Sequence, residues 1–259
     1  MNSISKANLV KVDELKQQLA GLRPLEGSAL IRLQEEFMIE STYNSNAIEG
    51  NKLTLRETAL LLQEGITVAG KSIKDHLEAI SHREAFEYMI NASDSGAQLT
   101  ERLIKEIHSL VLNHDTRYRG IYRDIPVRIL GASHTPPQPY LIRPQMEALI
   151  LDYHGEMNEL HPLESISLFH LRFEGIHPFV DGNGRTGRLL INLELIKAGY
   201  LPINIKFTDR DKYYACFDSY YGDTATPDTL TNLIIDYEIA ELNRYIDILK
   251  YAGDQSGRD

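Results

Sequence analysis

The apolar residues Ile166, Phe169, Phe173 and Ile176 recur at helical spacing, and the same period resumes at Leu189, Leu193 and Ile196. Between them stands HPFVDGNGRTGR, residues 177–188, with three glycines, two arginines, an aspartate and a histidine. Pro178 disfavours helical geometry for the residue before it, so the first helix must stop at His177. The chain is thereby committed to a helix, a glycine loop and a second helix, whose start is expected near Thr186.

Most of the remaining chain reads the same way. Leu30, Leu33 and Phe37 share a helical stripe in LEGSALIRLQEEFMIEST, and Thr54 with Glu57 forms a capping box for a helix that stops at Gly65. Ser72 and Asp75 open another helix, and Leu103, Ile107 and Leu110 line a later one. The polar stretch ASDSGAQ, residues 92–98, divides an N-terminal helical extension (1–95) from a main domain (96–259). Prolines at 126, 136, 137, 139 and 144 and short β-branched runs predict a hairpin or extended flap across RGIYRDIPVRILGASHTPPQPYLIRPQM. The tail GDQSGRD is expected to fray. The fold class is mainly α with a small β-hairpin flap.

Charge narrows the partners. With 37 acidic against 27 basic residues the net charge is −10, the wrong sign for a broad phosphate-gripping face, so no nucleic-acid partner is expected. The single Cys216 can form neither an internal disulfide nor a cysteine-based zinc site. No signal-like apolar region and no run of about 18 apolar residues occurs, so no membrane partner and a cytoplasmic location are expected.

GNGRTG at 182–187 also fits the dinucleotide pattern G-x-G-x-x-G, but that pattern needs a buried strand before it, and here a helix leads in. No Walker loop is present. What remains is an anion site. Gly182 and Gly184 let backbone amides approach a ligand at the helix start, and Arg185 and Arg188 add planar, fixed positive charge suited to phosphate. Asp181 is placed to hold Mg²⁺ against phosphate oxygens, and His177, the one loop residue titrating near neutrality, is a candidate general base. His170 and His177 lie two turns apart, about 10 Å along the axis, too far to share a zinc ion. His170 is expected to be a buried partner that steadies the loop.

At these residues the sequence resembles the Fic-domain family, whose signature H-P-F-x-[DE]-G-N-G-R-x-x-R is matched at every fixed position from His177 to Arg188. The similarity runs over roughly residues 100–222 and includes GIYR at 120–123. The resemblance implies a helical Fic fold with a flap, and transfer of AMP from ATP to a hydroxyl of a target protein. By position it implies His177 as base, Asp181 as the Mg²⁺ ligand, Gly182, Asn183 and Gly184 as the anion hole, Arg188 as the phosphate clamp, and Arg185 as support for phosphate or loop geometry. An unknown target protein would dock at the flap by main-chain pairing. Some relatives use dimer contacts, so a homodimer stands among the partners to test. Tyr213 and Tyr214 resemble a tyrosine pair that borders adenine in relatives, and Tyr221 stands where some relatives carry a base-contacting asparagine.

SNAIEGN at 45–51 resembles the family's inhibitory motif [ST]-x-x-x-E-[GN] through Ser45, Glu49 and Gly50. The resemblance implies a brake in which Glu49 pairs bidentately with Arg188 and misaligns the triphosphate. The same residues suit a hydrolase that removes AMP with Glu49 orienting water, and a nucleotide-sensing module without turnover is the third reading.

Overall fold

The computed structural model describes residues 6–22, 27–129, 131 and 134–256. Its regular structure is helical: α1 (Lys6–Ala20), α2 (Ser28–Ile48), α3 (Leu55–Glu64), α4 (Ile73–Asp94), α5 (Glu101–Val111), α6 (Pro139–His154), α7 (Pro162–Ile176), α8 (Asn183–Lys197), α9 (Arg210–Asp218) and α10 (Asp228–Ser256). The capping boxes Thr54/Glu57 and Ser72/Asp75 both form and fix the starts of α3 and α4. A third box, His161 with Glu164, starts α7 with Pro162 in its first turn, where the missing N–H costs nothing.

α7 and α8 form the central hairpin. Phe169, Phe173 and Ile176 of α7 meet Leu189, Leu190 and Leu193 of α8 in one core that also takes Phe86 and Met89 from α4, Ile104 and Ile107 from α5, and Ile142 and Met146 from α6. Their opposite faces, Leu163, Ile166, Leu171, Ile191 and Leu195, pack with Val12, Ile48, Tyr213, Leu230 and Ile234 in a second core. Both helices are therefore buried nearly all round, with buried polar residues at the loop end. Residues of the N-terminal extension enter both cores, so the turn after α4 joins two parts of one packed body.

The expected β-hairpin does not form among the described residues of 120–138. They run as extended and bent backbone without a strand, and residues 130, 132 and 133 lie outside the described set. Pro126, Pro136 and Pro137 lack the N–H a ladder needs, and two short arms without a third strand are marginal. Pro139 and Pro144 belong to α6 instead. Pro139 sits at the first helical position, and burial of Ile142, Met146 and Leu149 outweighs the bond lost at Pro144. α10 continues through the tail as far as Ser256.

Candidate active site

α7 ends at His177, which adopts a left-handed conformation at φ 48° and donates its N–H to Phe173 O. Such a backbone is uncommon for a residue with a side chain, and neighbours hold it in place. The buried Arg123 donates through Nε to His177 O (2.8 Å) and through Nη2 to Pro137 O (2.7 Å), while its own N–H reaches Pro178 O. One guanidinium thus ties the base of the flap to the loop. Asn183 makes the next tie, with its side chain accepting from Phe179 N and donating to Phe179 O, both at 2.9 Å. That clip lets α8 begin at Asn183, three residues before the expected start. His108 stacks on Phe179 at 3.6 Å, accepts from Gly120 N through Nδ1 and so donates through Nε2 to Asp181 O.

Gly182, at φ 79°, precedes α8, and no side chain caps the helix. The first amides of α8 are left for a ligand, with the helix dipole behind them. A side chain at Gly184 would collide with the Glu49 carboxylate, and one at Gly187 with Glu174 and His170. The motif's glycines therefore make room for side chains arriving from α2 and α7 as well as for a ligand.

Burial pushes His177 down to about 4, although the Glu174 main-chain carbonyl and the Glu49 charge oppose it, so the imidazole is neutral at pH 7. Its Nδ1 lies 3.7 Å from Glu174 Oε2. Burial first, and then the charge on Glu49, raise Glu174 to about 8, against the pull of Arg188. Asp181 is half exposed; burial disfavours its charge, yet Arg185, the Gly182 N–H and Lys74 together hold its carboxyl below the ordinary value. Its Oδ1 accepts from Gly182 N and Arg185 Nη2. An ionised, half-exposed carboxylate with Oδ2 unengaged suits a magnesium ion that takes its other ligands from water and phosphate. No cluster of three acidic, histidine or cysteine side chains exists among the described residues to cage a metal by itself.

The two arginines differ. Arg188 is 7% exposed and donates Nε to Ser45 Oγ (3.1 Å) and Nη2 to both Ser45 O (2.8 Å) and Glu49 Oε1 (2.9 Å). The pairing with Glu49 is single, correcting the bidentate arrangement expected from sequence, because Ser45 takes the Nε edge of the fork. Gly50 follows at φ 95° and turns the chain away from α2. Arg185 is 1% exposed and directed at two carboxylates, Asp181 and Glu78. It has no open face toward the loop.

His170 is fully buried, as expected, and its Nε2 meets Tyr213 Oη at 2.6 Å. Tyr213 is part of the second core, whereas Tyr214 stays partly exposed and lies under Arg210. Tyr221 donates to Leu171 O and stacks on His134 at 3.9 Å, propping the flap against α7. Sequence reasoning singled out His177, Asp181, Gly182, Asn183, Gly184, Arg185, Arg188, Ser45, Glu49 and Gly50, and all ten meet around the start of α8. It missed Glu78, His108 and Glu174. Only Glu174, one helical turn before His177, carried a readable spacing.

No helix among the described residues is long and apolar enough to cross a membrane. The family model described as Fic/DOC matches residues 98–195. Protein adenylyltransferase Fic of Nematostella vectensis is 37% identical over 222 residues, 83% of this chain and 50% of that protein, and its Drosophila melanogaster counterpart is 35% identical over 218 residues. The chain thus spans about half the length of the curated relatives it matches. The crystal structure of a Fic domain-containing signalling protein from Bacteroides thetaiotaomicron superposes with a TM-score of 0.83 at 30% identity, covering 94% of this chain and 97% of that one. Fic-1 from C. elegans superposes at 0.81 with 28% identity, over 93% of this chain and 71% of that one. A match of that identity over nearly the whole of a solved relative, together with the helix-loop-helix geometry around His177, places this chain in the Fic/DOC family.

Proposed function

We propose that this chain is a protein adenylyltransferase that moves AMP from ATP to a hydroxyl side chain of a target protein, and that Glu49 restrains it. The observation that carries the reading is a neutral imidazole at the end of α7 facing the uncapped start of α8, with an ionised aspartate at its rim. His177 Nδ1 is buried against the Glu174 side chain, which leaves Nε2 to take the proton from the target hydroxyl as its oxygen attacks the α-phosphorus. Pyrophosphate departs. A triphosphate nearby would raise the depressed pKa of His177 toward the working range. The amides at 183–185 receive phosphate oxygens, and Arg188 receives the γ-phosphate once Glu49 leaves it. Mg²⁺ held by Asp181 would offset phosphate charge. Arg185 acts by fixing Asp181, and the flap supplies main-chain pairing to an extended target segment.

A charge-assisted bond of about 1.5–3 kcal/mol in the closed state corresponds to roughly ten- to a hundredfold repression. Glu49→Gly is therefore expected to raise self-labelling from radiolabelled ATP by about that factor, with His177→Ala in the same background returning it to baseline. Equal labelling of Glu49→Gly and wild type removes the brake; labelling that survives His177→Ala removes the base. One observation favours the hydrolase reading as well: pairing through Oε1 alone leaves Glu49 Oε2 free to orient water. A modified target that loses AMP with wild-type protein but not with Glu49→Gly would select it.

A further inference from the structure

We infer that Glu78 is a positioning residue that sets the cation affinity of Asp181 through Arg185, and that it links this affinity to the turn carrying Glu49. The inference rests on the proposed reading of Asp181 as a magnesium ligand and deepens it. Glu78 comes from α4, far from the motif in sequence, and its carboxylate is 9% exposed. Its Oε1 lies 3.2 Å from Arg185 Nη1, and the Nη2 of the same guanidinium donates to Asp181 Oδ1 at 3.0 Å. One buried cation is thus shared by two carboxylates, with the more exposed Lys74 3.6 Å from the same Glu78 oxygen. His108 fixes the Asp181 main chain independently, so Arg185 governs mainly the side chain.

The sign follows from charge counting. With Glu78 ionised, part of the Arg185 charge is offset, and Asp181 keeps more of its attraction for a dication. With Glu78 uncharged, the guanidinium turns its whole charge on Asp181, competing for the oxygens and repelling the metal.

The carboxylate's other oxygen reaches the brake. Glu78 Oε2 accepts from Asn51 Nδ2 at 3.0 Å, and the same Nδ2 donates to Asp75 O. Asn51 is two residues beyond Glu49, and its N–H closes the turn onto Asn46 O. Asn46 in turn donates to the main-chain carbonyl of Glu78 at 3.5 Å. Glu78 thus holds the turn from which Glu49 reaches Arg188, so the brake and the metal ligand share one buried acid. Coupling of this kind is reciprocal: whatever favours metal at Asp181 biases the turn, and the reverse.

Calorimetric titration of the full chain carrying Glu49→Gly, with ATP alone and with ATP plus Mg²⁺, tests this. Adding Glu78→Gln, which keeps the shape and a partner for Asn51, is expected to weaken Mg²⁺-ATP binding about tenfold while leaving metal-free ATP unchanged. Glu78→Asp should recover most of the loss, and Asn51→Ala should shift metal-dependent binding the same way by about threefold. Equal weakening with and without metal would mean a purely structural role and overturn the inference, as would Mg²⁺-ATP affinity that Glu78→Gln leaves unaltered. A Glu49→Gly parent that takes up ATP with no gain from Mg²⁺ refutes the coupling and spares the nucleotide site. A parent that binds no ATP in either condition refutes the proposed function and this inference with it.

Discussion

Arg185 and Arg188 stand one turn apart on α8, are both buried, and both reach side chains of the N-terminal extension, yet they are built for opposite ends. Arg185 is enclosed between two carboxylates, one almost fully buried and one fixed through its main chain by His108. Arg188 is held by a hydroxyl, a main-chain carbonyl and a glutamate that remains about one third exposed. A cation held by a buried carboxylate is structure, whereas one whose only carboxylate can swing into water is exchangeable. The helix start thus combines a permanent pair with a replaceable one, and only the second is suited to trade a carboxylate for phosphate.

The largest test of that contrast is stability. Arg185→Leu leaves the buried Glu78 with only Asn51 and the exposed Lys74 for partners and is expected to cost about 3 kcal/mol, while Arg188→Leu releases Glu49 toward solvent and is expected to cost about 1–2 kcal/mol. Urea unfolding of the two variants measures the difference; matching losses would abolish the distinction.

A second test treats the surroundings of both arginines together. Burial, and then the charges of Arg188 and Arg185, depress His82 to about 3; burial chiefly lowers His170 to about 3 and His108 and His177 to about 4. Each binds its proton more readily unfolded, so stability present above about pH 6.5 is lost as pH falls toward 4. Glu174 and Glu238, raised to about 8 chiefly by burial, work in reverse: their contribution is complete below about 4.5 and disappears as pH rises through 8. The unfolding midpoint should therefore peak near pH 6.5, with slopes up to about 1.4 kcal/mol per pH unit for each net proton. A midpoint that climbs steadily from pH 5 to 8.5 would contradict these assignments.

The smallest effect concerns the brake alone. Ser45→Ala removes one of the three bonds that hold Arg188 and should raise self-labelling about fivefold, from about 1 kcal/mol. An increase as large as that of Glu49→Gly would make the hydroxyl, not the carboxylate, the main restraint.

The loop, its histidine and the Glu49–Arg188 pair were legible because each lies within a short pattern whose residue types have narrow uses. Helix starts at Thr54 and Ser72 were legible for the same reason, whereas His161 caps α7 without belonging to the usual capping residues. α1 went unread, since its one buried residue, Val12, matters only once α10 lies beside it. α6 was hidden by its prolines, whose cost local rules state correctly and tertiary burial overrides. Glu78 and His108, and the tie that Arg123 makes, were invisible for a different reason: each touches the loop from more than fifty residues away, and no spacing rule spans that distance.

The left-handed backbone at His177 has a consequence for heat tolerance. Holding a side-chain-bearing residue there costs about 1–2 kcal/mol that glycine would not incur, and the fold tolerates it through Arg123 and the flap. On the proposed reading that cost falls on the residue whose imidazole the transfer needs, so endurance and turnover are opposed at this one position.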